Sequence, residues 1–270
     1  MSTKTLLTRV APPPLFGIRR SVHILERNLM TTKSFWPVMV SGFFEPLFYL
    51  FAIGVGIGQL VGDISLPDGT TFTYTEFVAP ALLAASAMNG AIFESTVNIF
   101  FKFKYGKIYD AILATPMQPG DVAVGEITWS LIRGGVYASG FLIVMAAMGL
   151  ILAPSGVLAL PAALLIGFAF GSCGVAAATF MRTWQDLDLV TLVTLPLFLF
   201  SATFYPLEVY PEWLQVLTQL SPLYHGVQLI RGLTLGIIEP VLLFHAGFLV
   251  VMGLIGAAVA SRRFGAMLLK

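Results

Sequence analysis

The sequence predicts an all-α, polytopic membrane protein of six transmembrane helices, and three observations carry that prediction. Hydrophobic residues make up 57% of the 270 and charged residues only 11%, against roughly half apolar and a quarter charged in a soluble domain. The apolar residues fall in stretches close to the ~20 residues that a helix needs to cross a hydrocarbon core of about 30 Å. The basic residues between those stretches gather on one side.

Taken in order, residues 1–14 read as a flexible tail ending in Pro12-Pro13-Pro14, which stays extended because proline cannot open a helix early there. Residues 15–34 read as an amphipathic helix lying on the membrane surface. Phe16, Val22, Ile24, Leu25, Leu29 and Met30 gather on one side, and Arg19, Arg20, Arg27 and Lys33 reach headgroups or water. A solvated helix is the alternative. Because the first apolar stretch opens only at Phe35, an ordinary cleaved signal peptide is not expected. Residues 35–270 form one transmembrane domain with short loops, with spans at about 35–58, 77–101, 122–152, 157–181, 187–204 and 241–260. Only Pro154-Ser155-Gly156 separates the long third span from the fourth.

Orientation follows from the basic residues. Of the 15 Lys and Arg, all but Arg133 and Arg231 fall in the N-terminal region, the loop of Lys102, Lys104 and Lys107, the turn at Arg182, or the end at Arg262, Arg263 and Lys270. The opposite loops hold Asp63, Asp68, Glu76, Glu208, Glu212 and Glu239. The positive-inside rule makes the basic side cytoplasmic and sets both termini there, in a bacterial inner membrane. A net charge of +1 gives no field for a nucleic-acid partner. The single cysteine, Cys173, excludes a disulfide within the chain or a Cys-x-x-Cys metal set.

Ionisable residues inside spans are costly in hydrocarbon and by default face a bundle interior or a wet cavity. Glu45 stands directly before Pro46 in span one and Glu94 in the second half of span two, while Glu126 and Arg133 lie seven residues apart on one face of span three. Glu94, Glu126 and Arg133 form one charge-compensated cluster if spans two and three pack side by side. A structural ion pair that only locks helices is the open alternative. Gly54 and Gly58, like Gly167 and Gly171, have the small-xxx-small spacing that lets membrane helices approach closely. His225 and His245 have no neighbouring ligands in sequence and read as core or interface residues. Phe44, Phe48, Phe198 and Phe204 suit a route for an amphipathic cargo, although aromatic residues also serve as lipid-facing filler.

Two loops carry further signal. Residues 105–116 read as a short helix with Ile108 and Ile112 on one face, Tyr109 and Leu113 on the next, and a stop at Pro116. With no soluble domain to cover that apolar face, a partner is expected to supply the groove. Residues 205–217 begin with two prolines and turn amphipathic, as for a segment that lies along or re-enters the outer leaflet.

Phe44-Glu45-Pro46-Leu47-Phe48-Tyr49-Leu50, Tyr109-Asp110-Ala111-Ile112-Leu113-Ala114-Thr115-Pro116 and Ser221-Pro222-Leu223-Tyr224-His225-Gly226-Val227 stand in that order. With this span count, the chain resembles the permeases of ABC-2 type transporters, nearest the branch of lipooligosaccharide exporters typified by nodulation-factor permeases. The resemblance covers nearly the whole chain, from about Leu15 on. It implies a type V ABC exporter-like architecture in which two permeases, identical or related, sit on two copies of a cytoplasmic ATPase. It also implies that the N-terminal amphipathic helix and the coupling segment of Gly106, Ile108, Tyr109, Asp110, Ile112 and Leu113 dock on those ATPases, and that spans one, two and five enclose the substrate route. ATP and Mg then belong to the partner, and this chain carries no cofactor of its own.

The residues agree on the last point: no Gly-x-x-x-x-Gly-Lys-Ser/Thr occurs, so energy must come from a partner or an ion gradient. Three classes follow. An ABC exporter permease, a transport subunit and not an enzyme, would move a glycolipid, lipid-linked saccharide or hydrophobic drug outward. A gradient-driven transporter would be expected to show broken helices in matched halves, and no internal repeat is evident. A membrane-embedded enzyme needs a cluster of catalytic residues, which the sequence does not display.

Overall fold

A computed structural model of the chain describes residues 18–33, 44, 47–65 and 69–268. The expected tail, the start of the first expected span and Glu45 lie outside the described residues. Within them, α1 is Ile18–Lys33 and α2 is Leu47–Val61. A small hairpin follows, β1 at Asp63–Ser65 pairing antiparallel with β2 at Thr71–Thr73, with Ile64 opposite Phe72. Then come α3, Tyr74–Lys104; α4, Ile108–Leu113; α5, Pro119–Ala147; α6, Pro154–Ala178; and α7, Asp186–Leu199. The chain closes with α8, Glu212–Leu220; α9, Pro222–Leu235; and α10, Val241–Leu268. By length and composition α3, α5, α6 and α10 can cross a membrane.

Local chemistry explains the bounds. The Thr73 hydroxyl accepts from the Glu76 N–H at 3.3 Å while the Glu76 carboxylate accepts from the Thr73 N–H at 2.8 Å, a reciprocal cap at the start of α3. Pro119 occupies the first turn of α5, where its missing N–H costs nothing. That helix ends before Gly149, whose φ of +71° turns the chain, so the third expected span is shorter than the apolar run suggests. α3 is buried over most of its length because it is the centre of the bundle, with Phe77, Val78, Leu82, Leu83, Met88 and Phe141 of α5 buried in one core. α6 packs along α10 and also touches α3, α5 and α9.

Helix α1 lies on α5 through Ser21, Ile24 and Asn28, spaced to share one face. Gly125 makes this approach possible, since a Cβ there would stand 2.7 Å from Ile24. The expected single apolar side is therefore split: Ile24 turns inward, while Val22, Leu29 and Met30 remain exposed.

Two expectations change at the other end of the bundle. The fifth expected span is helical only to Leu199 and then runs through Ser201, Ala202 and Thr203 as buried irregular backbone. Such backbone is tolerated at depth only when its polar groups are satisfied within protein. Here the Arg231 guanidinium donates to the Ala202 carbonyl at 2.8 Å and the Thr203 hydroxyl to the Phe198 carbonyl at 2.8 Å. The loop before the last span, in turn, contributes α9 as an interior helix with Leu223, Val227, Ile230 and Arg231 buried. Its C-terminal carbonyls are met by the chain opening α6: Leu152 N–H and Ala153 N–H donate to Thr234 O, and Ser155 Oγ donates to Leu233 O at 2.7 Å.

Candidate functional site

A cavity of about 460 Å³ lies between α2, α3, α5 and α7. Its lining mixes polar and apolar residues. Ser86, Asn89 and Thr96 of α3 face it together with Thr191 and Thr194 of α7, whereas Tyr49, Leu82, Ile92, Phe93, Val190 and Phe198 supply apolar and aromatic surface. The three α3 residues lie at helical spacing on one face, a polar stripe in an otherwise apolar helix.

Arg133 and Tyr137 of α5 close one wall of this cavity. Arg133 is held by an ion pair with Glu94 and donates from Nε to the Tyr137 hydroxyl at 3.1 Å. Glu94 is 2% exposed, accepts a second hydrogen bond from the Asn98 amide, and opens a wider π-helical turn, Glu94–Asn98. Such turns insert a residue into a helix and often mark functional sites. Here the turn brings a carboxylate to a guanidinium on the neighbouring helix.

Glu126 does not join that pair. It lies nearer the basic end of the bundle and gathers its own donors: Lys102 Nζ at 2.8 and 3.0 Å, Tyr109 Oη at 3.0 Å, and Asn28 Nδ2 at 3.2 Å. The Asn28 carbonyl oxygen in turn accepts from Lys102 at 3.2 Å. The expected single cluster is thus two separate ones, because Lys102 at the end of α3 reaches Glu126 while Arg133, two turns further along α5, reaches Glu94.

The segment expected to couple to an ATPase departs from expectation in one physical respect. Tyr109 is 1% exposed, edge-on to Phe264 at 5.4 Å and beside Phe103, and Ile112 packs partly against the same cluster. The groove for that face comes from this chain itself. Burial and the adjacent Glu126 charge push the Tyr109 phenol well above its usual range. Gly106, Lys107, Asp110, Ala111 and Ala114 form the outward face. Leu113 ends α4.

Of the aromatic residues singled out in sequence, Phe198 lines the cavity and packs edge-on against Phe204 at 5.3 Å and against Tyr49 at 5.6 Å. Phe44 and Phe48 stack on each other at 6.1 Å on an exposed side and do not line it. His225 and His245, isolated in sequence, meet with their Nδ1 atoms 2.7 Å apart, since α9 folds back on α10.

Reasoning from sequence missed Ser86, Asn89, Thr96, Thr191 and Thr194, whose signal was polar residues recurring within apolar runs. It also missed the burial of Arg231, whose guanidinium covers the Phe77 ring at 3.7 Å. Arg231 lines a second cavity of about 380 Å³ with Glu208, Gln228 and His245.

Comparison with known proteins decides the class. The family model for ABC-2 type transporters matches residues 21–235. The chain belongs to the ABC-2 type transporter family. It is therefore a multi-pass membrane transport permease, and such permeases work with an ATPase partner. Nodulation protein J of Rhizobium leguminosarum bv. viciae is 31% identical over 262 residues, which is 94% of this chain and 98% of that protein. Nodulation protein J of Rhizobium leguminosarum bv. trifolii is 32% identical over 193 residues, 71% and 72% of the two chains. A putative transport permease, ycf38, of Cyanophora paradoxa is 22% identical over 221 residues, 81% and 75% of the two. The family match takes in α2 through α9, and with them both charge clusters and the whole cavity lining.

Proposed function

We propose that this permease is the membrane subunit of an ATP-driven exporter that moves an amphipathic cargo outward through the cavity between α2, α3, α5 and α7. The observation that carries the reading is the mixed polar and apolar lining. Hydroxyl and amide groups of Ser86, Asn89, Thr96, Thr191 and Thr194 can hydrogen-bond a hydrated head, while Tyr49, Phe93, Phe198 and Val190 receive an apolar tail. A glycolipid or lipid-linked saccharide uses both kinds of surface; a hydrophobic drug uses only the apolar kind. The resemblance to lipooligosaccharide-exporter permeases favours a glycolipid.

In this reading α2 and α7, with their flanking residues, complete a set of six spans in the bacterial inner membrane with both termini cytoplasmic. Two permeases, identical or related, sit on two P-loop ATPases that supply ATP and Mg. The outward face of α4 docks on an ATPase. Membrane lipids surround Val22, Leu29 and Met30 of α1 as well as the exposed face of α7, where Leu189, Leu192 and Leu195 project.

The test is a search for a P-loop ATPase gene beside the permease gene and co-expression of the two, followed by reconstitution in liposomes. The expected result is a complex whose ATP hydrolysis rises with a long-chain glycolipid. Transport that needs no ATPase and collapses with an ionophore would overturn it in favour of a gradient-driven transporter.

A further inference from the structure

We infer that Glu126 is a positioning residue that ties α1 to α4, so that the interfacial helix and the coupling helix move as one body. This inference rests on the proposed coupling to an ATPase. Four elements meet at one carboxylate: Asn28 from α1, Lys102 from the end of α3, Tyr109 from α4, and Glu126 itself from α5. All four residues are buried, and both carboxylate oxygens are filled by donors.

A helix as short as α4 cannot hold its own shape or angle in water. Packing of Tyr109 on Phe264 and Phe103 gives α4 a place to sit, but apolar contact is not directional. The hydrogen bond to Glu126 supplies direction. A second tie runs parallel to it, from Arg20 of α1 to the Pro116 carbonyl just past α4 at 2.7 Å. Force applied to the outward face at Asp110 and Ala111 is therefore shared between α1 and the ends of α3 and α5. An apolar filling of the same space would stabilise the site as well or better, so a buried pair here is better explained by geometry than by stability.

The experiment uses the complete transporter, permease with its ATPase, in liposomes. Spin labels go on the exposed positions His23 of α1 and Thr115 just past α4 in a Cys173→Ser background, and their separation is measured nucleotide-free and with ATP trapped. In the wild type the separation keeps its value and width between the two states. In Tyr109→Phe, which keeps the buried ring and removes only the hydrogen bond, and in Glu126→Gln with Lys102→Met, which removes both charges together, the distribution broadens with ATP. Cargo moved per ATP falls by about fivefold or more, the scale of an ordinary coupling between sites.

A merely structural role predicts reduced yield with unchanged distances and an unchanged ratio, and that result overturns the inference. Unchanged distances in a complex that still assembles and transports would reject only the tie. Failure of the wild-type permease to bind any ATPase would reject the reading on which the tie stands, and the tie with it.

Discussion

The two buried ion pairs are built from the same chemistry and do different things. Glu94–Arg133 stands on the wall of a cavity, and Arg133 keeps a tyrosine hydroxyl as a further partner beside open space. Glu126–Lys102 is closed on all sides by Asn28, Tyr109 and the cluster of Ile24, Val122 and Phe264. In the first, water or a cargo headgroup can take over when one partner is lost. In the second only the neutral donors Asn28 and Tyr109 remain for Glu126, and neither replaces the lost charge. A charge pair in a membrane protein is thus informative only together with what surrounds it.

The largest effect should separate the two on that basis. Lys102→Met strands a sealed carboxylate and should cost about 3–5 kcal/mol, measured by SDS-titrated unfolding in mixed micelles. Adding Glu126→Gln to it should recover most of that loss. No recovery in the double variant would mean that Lys102 acts through packing of its stem and not through charge.

Glu94→Gln should cost less, about 1–3 kcal/mol, because the freed guanidinium still has Tyr137 and the cavity. It should nevertheless reduce transport at saturating cargo. Since Glu94 and Glu126 share no hydrogen-bond partner, the stability losses of Glu94→Gln and Glu126→Gln should add to within about 0.5 kcal/mol. A coupling well above that would rejoin the two pairs into one network.

Asn89→Leu should leave stability near the wild type and shift cargo preference from headgroup-bearing lipids toward plain hydrophobic compounds, read as the ratio of the two transport rates. Unchanged selectivity would remove the polar stripe from recognition.

Asp186 gives the exposed end of the scale. The Arg182 and Thr183 backbone N–H groups, followed by the Thr183 hydroxyl and the Arg182 charge, hold its carboxyl below the usual aspartate range. A depressed pKa stabilises the folded state above the unfolded value and loses that contribution as pH falls through the folded one. The wild-type fold should therefore lose a little stability as pH drops below the ordinary aspartate range, and Asp186→Asn should flatten that slope.

Which parts were legible in the sequence follows from which interactions are local. Length and apolar composition marked the segments of α3, α5, α6 and α10, because a membrane span is a property of a contiguous stretch. The stop at Gly149 and the irregular run 201–203 were hidden, since an apolar residue reads the same in a helix and in buried backbone. Glu94, Glu126 and Arg133 stood out as costly, but their partners could not be paired: Asn28 and Lys102 lie 98 and 24 residues from Glu126. Tyr109 was visible as part of a helix, and its cover, Phe264, comes from the last helix of the chain.

The central claim is that the cavity beside Glu94–Arg133 carries the cargo, and α7 offers the most direct test because its two faces serve as test and control. A photoreactive phenylalanine analogue is placed at Thr194, which lines the cavity, or at Leu192, which is exposed on the same helix. The complete transporter is then illuminated with a radiolabelled long-chain glycolipid, with and without ATP. The account predicts an adduct at position 194 that ATP depletes and unlabelled glycolipid competes away, with labelling at 192 indifferent to both. Equal, nucleotide-independent labelling at the two positions would contradict it.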